Sequence, residues 1–223
     1  MTSKAKEFDE SLESAQSNAF AYNLIDCDYV SPSNLSISTI TFLFITSIAS
    51  IDIESITSLQ TSRMRNCVVY KFRISEKRKC AIKIFRNGRL HVTGCNSAQE
   101  AERYIKDVLG TIDPAATIVD FEVQMINSNF AFQCAIDLYE LARILEERQE
   151  PFSYNKDHHH ALRFKADNVS IMVFMSGSVI ITGGKTPESL FEAYKKLVCI
   201  VEKEFFNGIV LQNYVHRKRK RTD

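Results

Sequence analysis

The 223-residue chain has no excess of charge: 28 Lys and Arg stand against 27 Asp and Glu, a formal net charge of +1. Taken whole, that balance excludes a uniformly basic nucleic-acid coat and an acidic disordered tail. Paired cysteines are lacking too. The six thiols (27, 67, 80, 95, 134 and 199) show no C-x-x-C spacing, and no secretory signal stands at the start. Buried thiols in a reducing compartment are expected, not a disulfide or metal framework. Residues 30–51 carry no charge over 22 positions, but nine of these are Ser or Thr, and Pro32 and Asn34 interrupt the run. The apolar remainder is mostly β-branched and aromatic, which predicts a buried strand and no membrane span. Reaction chemistry is also missing. There is no P-loop, no metal-ligand cluster and no nucleophile paired with a base, so neither an enzyme nor a cofactor is expected.

What is present is a globular composition, 45% hydrophobic and 25% charged, enough for one large core or two small ones. The neutral total hides a strong segmental pattern. Residues 1–35 carry net −4, 36–119 net +5, 120–215 net −4 and 216–223 net +4. A local site for a polyanion therefore remains open.

The chain is internally duplicated. AIKIFRNGRLHVTGCNSAQEAERYIK (81–106) parallels SIMVFMSGSVIITGGKTPESLFEAYK (170–195) at an offset of 89 residues. That offset superposes Phe85 on Phe174, Gly88 on Gly177, Thr93 on Thr182 and Gly94 on Gly183. IDIESI (51–56) parallels IDLYEL (136–141) at an offset of 85. The expected organisation is an acidic, flexible segment over 1–36, repeat one over 37–119, repeat two over 120–210 and a basic tail over 211–223. Within each repeat a hairpin turns at Gly88 or Gly177 and a long helix follows. In the first copy Ser97 and Glu100 form a capping box, and Gly110 ends the helix. In the second, Thr186-Pro187 is cap plus first-turn proline. Shorter helices are expected near 52–60 and 136–149.

Strand alternation sorts side chains into two rows. Val68, Tyr70, Phe72, Ile74, Ile82, Ile84, Leu90 and Val92 form an apolar row in repeat one. Leu162, Phe164, Ile171, Val173, Val179 and Ile181 do so in repeat two, and one long helix per repeat covers each row. The other row mixes types: Val69, Lys71, Arg73, Lys83, Phe85, His91 and Thr93 in repeat one, and Arg163, Lys165, Ser170, Met172, Phe174, Ile180 and Thr182 in repeat two. No further helix is available to bury it, which marks a binding face. The alternative is that the acidic N-terminal segment or a second chain covers it. Residues 63–89 hold ten Lys or Arg against one Glu, with Lys77-Arg78-Lys79 at a strand connection. That bracket of charge favours a polyanion.

On these residues the chain resembles the TATA-box-binding protein family over about residues 37–206. The specific features are Phe-x-x-Gly-x-x-x-x-Thr-Gly in duplicate (85–94 and 174–183), Ser153-Tyr154 before the second stirrup, and Asp120-Phe121-Glu122-Val123-Gln124 opening repeat two. The resemblance implies an α+β fold: a saddle of two pseudo-symmetric repeats forming one curved antiparallel sheet, with helices on the convex face. It implies that the concave face lies in the minor groove of A·T-rich promoter duplex DNA and that the protein nucleates a polymerase complex. Kinking by inserted rings is the behaviour for which this family is itself the standard case. By the resemblance, Phe85 and Phe174 are wedges, Thr93, Thr182, Met172 and Ile180 line the groove, and Arg73, Arg89 and Lys165 take phosphates. Lys71, Lys83 and Arg163 join the basic set of the same face.

Several positions depart from the family. The first wedge of each repeat aligns near Cys67 and near His159, and the paired base-reading asparagines align with Ile40 and Met125. Lys83, His91 and Ser170 replace groove-floor aliphatics, and Ser178 replaces a basic position. The resemblance also implies a general transcription factor IIB-like partner or RNA polymerase subunits. The second stirrup, Ser153 to His160, keeps only Asp157 of the acidic charge that docks such a factor, and its three histidines read as a solvated tip, not a metal site. That divergence, with the Ile/Ser/Asn-rich composition, points to a variant with its own partners, such as large DNA viruses encode, working in a nucleus or a cytoplasmic viral factory. The tail His216-Arg217-Lys218-Arg219-Lys220-Arg221 reads equally as a nuclear-localisation or phosphate patch and as a solvated terminus. The N-terminal segment is placed, as a DNA mimic, on the basic face of repeat one. The competing function is a protein scaffold on the same fold that has lost independent DNA binding.

Overall fold

The computed structural model describes residues 2–56, 61–76, 78–157 and 160–211. Helix α1 (Ser3–Asp26) precedes β1 (Ser36–Thr46), β2 (Thr61–Arg63), β3 (Cys67–Arg73), β4 (Lys79–Phe85), β5 (Arg89–Cys95) and α2 (Ala98–Ile112). Then come β6 (Ile118–Ala131), β7 (Ala135–Ile136), α3 (Leu138–Glu147), β8 (Phe152–Ser153), β9 (Ala161–Ala166), β10 (Val169–Phe174), β11 (Ser178–Gly184), α4 (Pro187–Lys203) and β12 (Val210–Leu211). The uncharged stretch is strand β1, and among the described residues no helix is long and apolar enough to cross a membrane.

The chain packs as two compact units: residues 1–14, 37–127 and 185–187, and residues 15–36, 128–184 and 188 onward. In the first, the strands order β2-β3-β4-β5-β1-β6; in the second, β6-β11-β10-β9-β8, with β12 on β7 as a separate pair. The packing boundary falls after Asn127, because the first part of β6 lies beside β1.

The apolar rows are cores except at the end of β3, where Tyr70, Phe72 and Ile74 are only half-buried. In the first unit Ile82, Ile84, Leu90 and Val92 are fully buried with Ala101 and Ile105 of α2. In the second, Leu162, Ile171, Val173 and Ile181 are buried with Leu190, Tyr194, Leu197 and Val201 of α4. Ser97 caps α2 by accepting from the Glu100 amide at 3.1 Å. The reciprocal bond of the expected capping box goes elsewhere: Glu100 Oε2 accepts from the Asn96 amide and from Arg78. Gly110 does not end α2. The helix runs to Ile112 and stops at Asp113, where ψ is 106°. Asp113 precedes Pro114, whose ring disfavours helical geometry in the residue before it. Near 52–60, residues 53–55 form only a turn, and 57–60 lie outside the described residues. The helix expected near 136–149 is α3, capped by the Asp137 carboxylate on the Tyr139 and Glu140 amides.

The duplicated Phe-x-x-Gly is a turn. The Phe85 carbonyl accepts from the Gly88 amide at 3.1 Å and the Phe174 carbonyl from the Gly177 amide at 2.9 Å. Both glycines have positive φ, 73° and 82°. A Cβ on Gly88 would lie 1.8 Å from the Ile48 carbonyl oxygen, and one on Gly177 would lie 2.2 Å from that of Cys134. Gly88→Ala and Gly177→Ala are each expected to lower stability in urea unfolding. The left-handed backbone alone costs about 1–2 kcal/mol, and displacing the carbonyl adds to it. A loss below half of that would show that the turn relaxes freely.

The N-terminal segment is not a flexible tail, for residues 3–26 are helical. Ala5, Asp9, Leu12, Ala15 and Ala19 are its buried residues, a narrow, alanine-rich seam at four-residue and three-residue spacing. The partners that hold it are remote in sequence. Asp9 accepts from the Ala98 and Gln99 amides at 2.6 and 3.0 Å, capping α2 from outside. Burial pushes the Asp9 carboxyl up, against those two amide bonds. Lys4 reaches Asp120 Oδ1 and the Phe121 carbonyl. Phe8 packs edge-on against Phe42 at 5.8 Å. In the second unit the Tyr194 hydroxyl donates to Asn23 Oδ1 at 2.5 Å, and the Glu202 carboxylate accepts from the amides of Asp28, Tyr29 and Val30. Phe42 belongs to the core side of β1, so the first part of α1 lies with α2 and does not cover the basic face.

Candidate nucleic-acid interface

Register places the second row residue by residue. In the first unit, one cross-strand rung runs Val69–Lys83–His91–Leu43, and the next runs Lys71–Ala81–Thr93–Thr41. In the second, the matching rungs are Arg163–Met172–Ile180 and Lys165–Ser170–Thr182. None of the twelve expected site residues is buried. Lys71, Arg73, Arg89, Arg163, Lys165 and Ile180 are exposed, and Phe85, Phe174, Thr93, Thr182, Met172 and Lys83 are half-buried. The open face therefore exists in each unit. Val69, at 5% exposure, is the member of the row that is closed off.

Charge on this face is unneutralised. Among the described residues Lys71, Arg73, Lys83, Arg89, Arg163 and Lys165 make no ion pair, whereas Arg78 is held by Glu100 at 2.5 Å. Arg163 Nη2 lies 3.6 Å from Met172 Sδ, which lays the guanidinium along the thioether. Burial, helped by the Lys83 ammonium, pulls His91 below its usual pKa and so keeps it a neutral imidazole at physiological pH. Neutral imidazole offers one donor and one acceptor.

Phe85 and Phe174 end their strands at the turns, and neither ring meets another ring among the described residues. Opposite Phe85 stands Cys67, and opposite Phe174 stands Ala161, both buried. The second-repeat counterpart of Cys67 is thus Ala161, two positions from the expected His159, which lies outside the described residues. No ring therefore stands directly opposite Phe85 or Phe174. Ile40, aligned with a base-reading asparagine, is fully buried. The register shifts between Ile40 and Thr41, where Gly94 (φ 106°) separates Thr93 from Cys95 on the partner strand. Thr41 therefore stands on the Thr93 side, its hydroxyl 3.5 Å from that of Thr93, and like Val69 it is buried.

Residues missed in the sequence complete the surface. Leu43 and Ile45 of β1 pair with His91 and Arg89 and stay half-exposed; the same period-two pattern applied to β1 would have found them. Lys79 pairs with Arg73, and with Lys71, Thr39 and Thr93 it lines a hollow of about 650 Å³ at the end of the face. The Thr39 hydroxyl there is buried without a hydrogen-bond partner. Of the expected Lys77-Arg78-Lys79 cluster, Lys77 lies outside the described residues, as does the basic tail from 212 on. His160 is exposed, while His158 and His159 are outside the described residues, and no metal-holding group of His, Cys, Asp and Glu occurs among those described. All six thiols are free, with Cys67, Cys80 and Cys95 buried and Cys27, Cys134 and Cys199 half-buried.

Comparison with known proteins gives one family. The family model described as transcription factor TFIID, or TATA-binding protein, matches residues 37–114 and 120–204. A TATA-box-binding protein of Archaeoglobus fulgidus is 28% identical over 123 residues, covering 53% of this chain and 67% of that one. A TATA-box-binding protein-like protein of Acanthamoeba polyphaga mimivirus is 28% identical over 153 residues, covering 53% of this chain but 42% of that one. Among solved structures, Methanococcus jannaschii TBP superposes with a TM-score of 0.65 at 23% identity, over 76% of this chain and 98% of that one. That likeness carries the fold. The residues of α1 lie outside the matched segments.

Proposed function

The chain belongs to the TATA-binding protein family as a divergent member, and from that premise we propose that it is a transcription initiation factor that binds A·T-rich promoter duplex DNA. The open face of both repeats would lie in the minor groove, and the bound protein would nucleate a polymerase complex. The observation that carries this reading is the face itself: half-exposed rings and apolar side chains beside six cations that, among the described residues, have no carboxylate partner and no helix laid over them. Lys71, Arg73, Arg89, Arg163 and Lys165 would take phosphates, and Phe85 and Phe174 would enter base steps. A factor IIB-like protein or polymerase subunits would be recruited to the assembly, in a nucleus or a viral factory.

The absence of a ring opposite Phe85 and Phe174 favours a second reading, a protein scaffold without DNA binding of its own. Titration of A·T-rich and scrambled duplexes at two salt concentrations decides between them. Preference for the A·T-rich duplex is expected, with affinity falling steeply as salt rises because the cations release counterions. Binding to neither duplex at low salt would leave the scaffold as the function.

A further inference from the structure

The equivalent rungs of the two repeats carry opposite chemistry. Lys83 lies two residues before Phe85 and His91 two before Thr93; Met172 and Ile180 hold the same places before Phe174 and Thr182. The pairs face each other across neighbouring strands, Lys83 with His91 and Met172 with Ile180. Repeat one thus has an ammonium and a polar ring at the middle of its open face, where repeat two has a thioether and an aliphatic chain. The cation of repeat two's rung, Arg163, stands on the outer strand and is exposed, at the place where repeat one has the buried Val69.

An ammonium under a duplex has two outcomes. Left without an acceptor it opposes seating, since a buried unpaired charge is costly. Given acceptors it anchors. The minor groove floor of A·T pairs offers adenine N3 and thymine O2, whereas a G·C pair adds a guanine amino donor that obstructs an incoming N–H. Narrow A·T-rich grooves also concentrate negative potential, which draws in a cation. Methionine and isoleucine make no hydrogen bond in either groove.

We propose that repeat one reads the groove floor by hydrogen bonds from Lys83 and His91 while the equivalent pair of repeat two, Met172 and Ile180, rests on it by apolar contact, so that the chain itself sets the orientation in which an asymmetric site is bound. This rests on the minor-groove reading above. It makes the half-site under repeat one the one that must be A·T.

Orientation is measurable because the start of the chain is anchored on repeat one, where the Thr2 amide and hydroxyl bond to Glu102 on α2. A donor fluorophore on the N-terminal residue and an acceptor on either end of a duplex whose halves are A·T and G·C report which half lies beneath that repeat. Energy transfer is expected to favour the A·T end by at least about tenfold in population, what one well-made base contact discriminates. Lys83→Met with His91→Ile, which gives repeat one the rung of repeat two, is expected to bring the ratio near one. Lys83→Gln alone tests the charge with the length of the side chain nearly kept, and should lower the ratio partway. Inosine in place of guanosine removes the amino group, keeps the acceptors and should abolish the preference of the unmodified protein. Equal transfer from both ends, a preference that survives Lys83→Met/His91→Ile, or one that persists with inosine would each overturn the inference while DNA binding stands. No binding to any duplex would remove the DNA reading itself.

Discussion

Replacing Phe85 and Phe174 together with alanine is expected to weaken binding to an A·T-rich duplex by at least about 30-fold and to reduce the bend of the bound DNA. The reasoning starts from their positions. Each ring ends a strand beside a glycine turn that carries its carbonyl in a hydrogen bond, so the ring is held at a fixed place on the open face. Neither is packed against another ring among the described residues, and neither is part of the buried core. Their removal should therefore leave stability nearly unchanged, which separates a binding loss from a folding loss. Contact of an aromatic ring with a base contributes about 1–3 kcal/mol, so two rings account for the expected factor. With Cys67 and Ala161 opposite them, neither paired position offers a ring to compensate. Fluorescence transfer between the ends of a bound duplex reads the bend, and a filter or anisotropy titration reads the affinity. Unchanged affinity in the double variant, with the bend kept, would mean that the phosphate contacts hold the DNA and the rings do not enter it.

Phe42→Ala is expected to lower the stability of the first unit by about 3–5 kcal/mol, the usual cost of deleting a buried ring. Phe42 is fully buried and lies 5.8 Å from the Phe8 ring, 6.0 Å from Phe44 and 5.7 Å from Phe121. Each neighbour belongs to a different local context: Phe8 to α1, Phe44 to the same strand and Phe121 to β6. The cavity would open at the meeting point of these elements, where no single side chain can relax into it. The loss should appear as a lowered urea midpoint. Faster amide exchange should appear over residues 3–14 of α1, whose hold on the unit includes the Phe8 contact. A cost under about 1 kcal/mol would place the anchor of α1 in its polar contacts alone, Lys4 to Asp120 and Asp9 to the α2 amides.

Much of the fold was legible because its signals are local or periodic. The duplication repeats at a fixed offset of 89 residues, and the turns at Gly88 and Gly177, the Ser97 cap and the alternation of β4, β5, β10 and β11 follow from neighbours within a few positions. What was illegible depends on partners far away in sequence. Helix α1 has an alanine seam too narrow to mark it as amphipathic; contacts roughly ninety residues distant hold it, such as Asp9 with Ala98 and Gln99. The end of α2 was placed at Gly110 by composition, yet that glycine keeps helical geometry and Pro114 sets the stop.

The candidate face divides in the same way. By itself the sequence determined that two repeats exist, that each presents one apolar and one mixed row, and that the mixed row carries Phe85, Phe174 and their flanking cations. Alternation needs only the period of a strand. Which residues stand side by side was decided by tertiary structure, because register depends on turns and bulges that alternation does not see. The bulge at Gly94 turns Cys95 into the core opposite Ile40, where alternation from Leu90 and Val92 would have put Gly94. Register likewise sets Ala161 opposite Phe174, and puts Lys83 beside His91 where the other repeat has Met172 beside Ile180. The neutral net charge was a property of the whole sequence. The placement of six unpaired cations on the open faces came only with folding, which carried the first part of α1 and its carboxylates to the opposite side of the first unit's sheet.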